Sequence, residues 1–125
     1  MLKDANVMPT IAVKDLAVAR RFYEDKLGLQ ATDSGEPGVL VLRSGNSMLT
    51  VYESQYAGTN KATAATWTVG EEIENIVRDL KARGVSFEHY DMPDTKLQGD
   101  IHVSGDMKVA WFKDPDGNIL NLVNA

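Results

Sequence analysis

A repeat at fixed offset constrains this chain more than any other feature of it. Thr10 and Thr66, Val13 and Val69, and Gly28 and Gly84 all lie 56 residues apart, the self-similarity expected of an internal duplication. In "TIAVKDLAVARRFYEDKLGLQ" a strand pattern turns into a helix. Asp15 stands where it can cap, Leu16, Ala19, Tyr23 and Leu27 recur near helical spacing, and Gly28 closes the segment. "TWTVGEEIENIVRDLKARGVSF" repeats the design with a cleaner apolar stripe, Ile73, Ile76, Val77 and Leu80, and closes at Gly84. Three strand-like segments follow each helix: "LQATDS", "GVLVLRS" and "SMLTVYES" in the first half, "VSFEHY", "MKVAWFK" and "NILNLV" in the second.

Each half therefore reads βαβββ, and the chain is α+β. The modules run from about 5 to 54 and from about 62 to 124 of one domain spanning 1–125. "QYAGTNKA" is the polar linker between them, and "DMPDTKLQGDIHVSGD" is an insertion before the last hairpin. Gly45-Asn46 and Gly117-Asn118 mark the turn before each final strand; they stand 72 rather than 56 apart, and the insertion accounts for the difference. In "FKDPDGNILNLVN" the Pro, Asp and Gly after Asp114 suit a tight turn, and alternation then puts Ile119, Asn121 and Val123 on one face of a strand. An amide between two apolar residues is either ill-placed or the wall of a pocket.

Composition excludes several classes. The 125 residues contain no cysteine, so disulfides, thiolate nucleophiles and cysteine-held metals are out, and a reducing compartment is permitted. No run approaches the roughly 18 apolar residues of a membrane span, and "MLKDANVMPT" has no long apolar core, so a cytoplasmic protein is expected. Thirteen basic residues against eighteen acidic give a net charge of -5, without the positive footprint that nucleic acid or anionic lipid requires.

With "VKDLAVARRFYEDKLGL" near the start and "FKDPDGNILNL" at the end, nearly the whole chain resembles the vicinal oxygen chelate superfamily, which includes glyoxalase I, bleomycin-resistance proteins and extradiol dioxygenases. The resemblance implies two βαβββ modules whose mixed sheets curl into a cup around a small-molecule site, and a homodimer. It also implies four equivalent places where metal-using members carry ligands, at the start of the first strand and the centre of the last strand of each module. Here those places hold Met8, Ala64, Asn121 and Thr50 or a near neighbour. A divalent cation wants three or more carboxylate or imidazole ligands, so this set should hold no zinc, iron or manganese, and no metal or other cofactor is expected.

Alternation turns Met8, Thr10 and Ala12 inward, with Ala64, Thr66 and Thr68 on the repeat and Met48, Thr50 and Tyr52 on the last strand of the first module. A face carrying Thr10, Thr50, Tyr52, Thr66, Thr68 and Asn121 among apolar neighbours suits a small neutral ligand. Threonine also favours strands for its own sake, and Asn121 has the alternative of simply bonding backbone or water. Any imidazole chemistry falls to His89 or His102, and histidines beside loops are more often solvated, which is the expectation for both. His89 is kept as a pocket candidate because the insertion after it offers a lid. Trp67 and Trp111 read as packing residues, Trp111 being the better candidate to stack on a ligand.

Glu53 points away from the Thr50 side, Glu71 and Glu72 complement a helix dipole, and Asp114 and Asp116 lack the spacing of a calcium loop. The reading is a metal-independent small-molecule binder, with sequestration as its mode. A lyase or dioxygenase with displaced metal ligands, and a dimeric interaction module without ligand, are the alternatives.

Overall fold

The computed structural model describes residues 1–32 and 35–125, which form two compact units, Met1–Thr59 and Asn60–Ala125. Each unit carries one open mixed sheet, and helices are few, so the chain is α+β as expected.

In the first unit β1 (Thr10–Val13) leads into α1 (Leu16–Arg20), whose start Asp15 fixes by accepting from the backbone N–H groups of Ala17 and Val18. After Arg20 the coil widens into a π-helical turn, Arg21–Lys26. The straight helical period anticipated for this segment does not hold, and the reason is visible in its burial. Phe22 and Tyr23, adjacent in sequence, are both buried, with rings 5.2 Å apart and edge to face. In the widened turn the two rings lie side by side on its buried face. Gly28, at φ 76°, then reverses the chain.

β2 (Gln30–Thr32), β3 (Val39–Ser44) and β4 (Ser47–Glu53) complete the sheet in the order β1-β4-β3-β2, with β1 and β4 parallel. The strand expected over "LQATDS" extends to Asp33 and Ser34, which lie outside the described residues. Ile11, Val13, Leu40, Leu42, Leu49 and Val51 are buried while Thr10, Ala12, Thr50 and Tyr52 alternate with them, so the sheet has one apolar face and one mixed face.

The second unit starts with β5 (Thr63–Thr68), a single 3₁₀ turn at Gly70–Glu72, and α2 (Ile73–Ala82). Ile73, Val77 and Leu80 are buried, each contributing roughly 1.5–3 kcal/mol relative to exposure. Gly84, at φ 90°, ends the helix, and Val85 donates back to the Leu80 carbonyl at 3.0 Å. β6 (Phe87–Glu88), β9 (Met107–Lys113) and β10 (Ile119–Val123) are the anticipated strands. The insertion is not a simple loop. It folds as a hairpin, β7 (Lys96–Gln98) and β8 (Ile101–Ser104), which extends the sheet along β9 beyond the two residues that β6 pairs. The Gly99-Asp100 turn joins its two strands, and Gly105-Asp106 turns β8 into β9.

β10 lies between β5, parallel to it, and β9, antiparallel to it. One face of this sheet buries Ala110, Phe112, Leu120 and Leu122, and Lys108, on the same face, reaches Glu74 of α2. Trp67 stacks on Phe112 with ring centroids 6.3 Å apart. The turn into β10 is held by Asp114, whose buried carboxylate accepts from the N–H groups of Asp116 and Asn118 at 2.9 Å and from the Asn118 side chain at 2.8 Å.

Candidate ligand site around Trp111

The face of the second sheet opposite α2 carries Trp111 at its middle. Asn121 on β10 stands across from Trp111, and Thr66 on β5 stands across from Asn121. Thr68 and Val109 flank Val123 on the same face. On the other side of β9, His102 is the partner of Val109, and its ring meets the Trp111 ring edge to face at 4.9 Å. Tyr90 approaches Trp111 at 5.4 Å and stacks on His102 at 6.1 Å. Two aromatic rings, with one amide across the strand, thus gather about a single indole.

The hydrogen bonds here are incomplete. Tyr90 donates its backbone N–H to His102 Nε2 at 2.9 Å, and Trp111 donates its indole N–H to Thr63 Oγ1 at 3.2 Å. The Tyr90 hydroxyl, His102 Nδ1 and Asn121 Oδ1 are buried without a hydrogen-bond partner, although His102 is only 2% exposed and Asn121 8%. Leaving such a group unmet costs about 1–3 kcal/mol each. Three is an ordinary number for a domain of this size; their gathering about one ring is what calls for an explanation. Beside them a cavity of about 320 Å³ is walled by His89, Tyr90, Asp91, Met92, Thr95, Leu97 and His102.

The charges nearby are matched to one another. Asp100 bridges Lys81, at 2.6 Å, and His89, at 2.7 Å. The Lys81 ammonium, then His89, hold the Asp100 carboxyl below the usual carboxylate range. Glu88 pairs with Lys113 at 3.0 Å and holds its ammonium above the ordinary lysine value.

The predicted site residues divide between the units. In the first, Met8, Thr10, Thr50 and Tyr52 come together on one sheet face: Thr10 is in register with Thr50, Ala12 with Tyr52, and the Thr50 hydroxyl lies 4.0 Å from the Met8 sulfur. In the second, Thr66, Thr68, Trp111 and Asn121 share a face. Ala64 has no opposite residue, because β5 bulges there: Thr63 pairs with Ile119 and Ala65 with Leu120. The bulge brings Thr63, rather than Ala64, to the Trp111 ring. His89 stands at the rim, half-exposed, its ring 6.4 Å from that of His102.

The expectation that His102 is solvated fails. Strand β8 buries it, since His102 alternates with Ile101 and Val103 in a sheet rather than lying in a loop. Tyr90 and Thr63 are the residues that sequence reasoning missed, and His102 is the one it named but expected in solvent. The alternation in "IHVSGDMKV" was the available signal for His102; nothing in the sequence announces the bulge that recruits Thr63.

The donor set does not suit a metal ion. A thioether, a methyl group, hydroxyls and one amide oxygen occupy the places in question, and among the described residues no group of three or more His, Cys, Asp or Glu gathers to hold a cation.

Two βαβββ units, each with a sheet that is apolar on one face and mixed on the other, define the class of fold, and comparison with known proteins makes the assignment. Residues 6–122 match the model of the Glyoxalase/Bleomycin resistance protein/Dioxygenase superfamily, and the chain belongs to that family. No curated protein sequence matches it. Among solved structures it is similar to an integron cassette protein from the mobile metagenome of a Halifax Harbour sewage outfall, with 21% identity, 97% of this chain and 99% of that one covered, and a TM-score of 0.72. The fosfomycin resistance protein FosX of Listeria monocytogenes gives 15% identity over 99% and 93% of the two chains at 0.69. Lactoylglutathione lyase of Agrobacterium tumefaciens gives 17% over 95% and 92%, also at 0.69. At these identities the likeness is one of fold.

Proposed function

We propose that this protein binds a small organic molecule without the help of a metal, sequestering it against Trp111. The observation that carries the reading is the set of three buried polar atoms without partners around that ring, on Tyr90, His102 and Asn121. A ligand that met them would recover the cost each now incurs, and the apolar rings around them would supply most of the contact area. Met8, Thr10, Thr50 and Tyr52 form a polar-lined face of their own in the first unit. The same reading expects a homodimer in the cytoplasm.

Two measurements test it. Elemental analysis of purified protein, before and after exposure to zinc, iron or manganese, should give well under one equivalent of bound metal; stoichiometric uptake would defeat the metal-independent part. A thermal-shift screen of neutral aromatic compounds should find ligands that raise Tm, because a ligand that binds only the folded state must stabilise it. Those shifts should disappear in Trp111→Ala. Shifts that survive the substitution would place binding elsewhere.

A further inference from the structure

We infer that His102 is a fixed hydrogen-bond donor and Asn121 its matching acceptor, so that the site selects an uncharged flat ring with an acceptor at one end and a donor at the other. The inference rests on the reading that a ligand binds at Trp111. Its starting point is the Tyr90 N–H, which points at His102 Nε2 from 2.9 Å. A nitrogen that accepts a hydrogen bond carries a lone pair, so the proton of the neutral imidazole is on Nδ1. That Nδ1–H is buried and unmet. Tyr90 is thus a positioning residue: its main chain sets which way the histidine speaks.

Asn121 supplies the complement, a buried amide oxygen with no donor. Trp111 lies between the two, on β9, with β8 carrying His102 on one side and β10 carrying Asn121 on the other. His102 stands opposite Val109, two residues along β9 from Trp111, so with strands about 4.8 Å apart and a rise of about 3.4 Å per residue the two polar groups flank a diagonal space roughly 12 Å across at the backbone. A six-membered ring with polar atoms at opposite ends spans such a space over an indole. The indole N–H is already given to Thr63, which leaves Trp111 to offer surface alone. The Tyr90 hydroxyl can donate or accept, and so tolerates variation in the ring.

The selection against charge follows from the surroundings. Lys81, His89 and Asp100 are joined to one another, as are Glu88 and Lys113. An ionised ligand would leave water for a box of three rings and one amide, and an anion would in addition face the like charge of Asp91 on the adjoining cavity wall. The adjoining cavity of about 320 Å³, which Tyr90 and His102 share with the site, lies at the small end of ligand pockets and has room for one ring with its substituents.

The test uses the full chain with isotope-labelled histidine and four probes: γ-pyridone, which has a carbonyl and an N–H at opposite ends; N-methyl-γ-pyridone, which lacks the donor; toluene; and benzoate. Long-range proton–nitrogen spectra should show Nδ1 of His102 protonated and Nε2 bare before any probe is added. γ-Pyridone should bind at least about tenfold more tightly than N-methyl-γ-pyridone, and benzoate should be weakest. In Asn121→Leu, or in Asn121→Ala where the first fails to fold, that preference should fall to near unity while the N-methyl compound keeps its affinity. An imidazolium or an Nε2–H tautomer overturns the inference whatever binds. Equal binding of all four probes overturns it while leaving the ligand site intact. If no probe perturbs His102 or the Trp111 fluorescence, and the neutral-aromatic screen finds nothing, the ligand reading falls and this inference with it.

Discussion

Single residues in this protein divide into those whose hydrogen bonds are complete and those whose bonds are not, and the two kinds should respond oppositely to substitution. Asp114 is complete: its buried carboxylate holds the N–H groups of Asp116 and Asn118 and the Asn118 side chain. Asp114→Ala strands those donors and should cost about 2–3 kcal/mol in urea denaturation, since hydrogen bonds to a charged group are the stronger kind. Asn121 is incomplete. Replacing it by the similarly shaped Leu removes a buried oxygen that nothing satisfies. Asn121→Leu should therefore change stability by less than about 1 kcal/mol, in either direction, while weakening the binding of any ligand that donates to it. A loss as large as that of Asp114→Ala would mean that Asn121 has a structural partner after all.

At the level of elements, the helices were the most legible part of the chain and the insertion the least. Asp15, Gly28 and Gly84 announce where helices begin and end because capping is local chemistry, and the structure uses all three in those roles. The widened turn after Arg20 was not legible, because it answers to the burial of Phe22 and Tyr23 together, a demand of the packed unit rather than of the local sequence. Gly84→Ala places a Cβ at φ 90° and should cost about 1 kcal/mol. The β7–β8 hairpin is fastened to α2 through Asp100, whose partners Lys81 and His89 lower its pKa. A carboxylate lowered in the folded state contributes stability that is present above its unfolded value, about 3.9, and is lost as pH falls through the folded value. Asp100→Asn should thus be less stable than the native protein at pH 7, by about 1 kcal/mol or less, and the gap should close under acid; denaturation curves at several pH values would show whether it does.

For the molecule as a whole, the chain divides into two compact units at Thr59, and the family match over residues 6–122 agrees with the resemblance carried by the two end motifs. The candidate site was legible only along the threonine-bearing strands and at Trp111 and Asn121. Tyr90, His102 and Thr63 entered through a hairpin and a bulge, and pairing between distant strands is something a one-dimensional pattern records poorly. In both units the closing strand is interior to its sheet: β4 lies between β1 and β3, and β10 between β5 and β9. Amides of β4 and β10 should accordingly be the slowest in their units to exchange with solvent deuterium, and mass-resolved exchange would show it.

That arrangement also bears on how the protein is made. Because the opening strand of each unit finds its parallel neighbour only in the strand translated last, β1 waits for residues 47–53 and β5 for residues 119–123 before either has a ladder to join. A ribosome would release the first unit ready to settle while the second was still an unpaired thread, and a stall anywhere between Thr68 and Ile119 would leave the indole-bearing half unable to assemble.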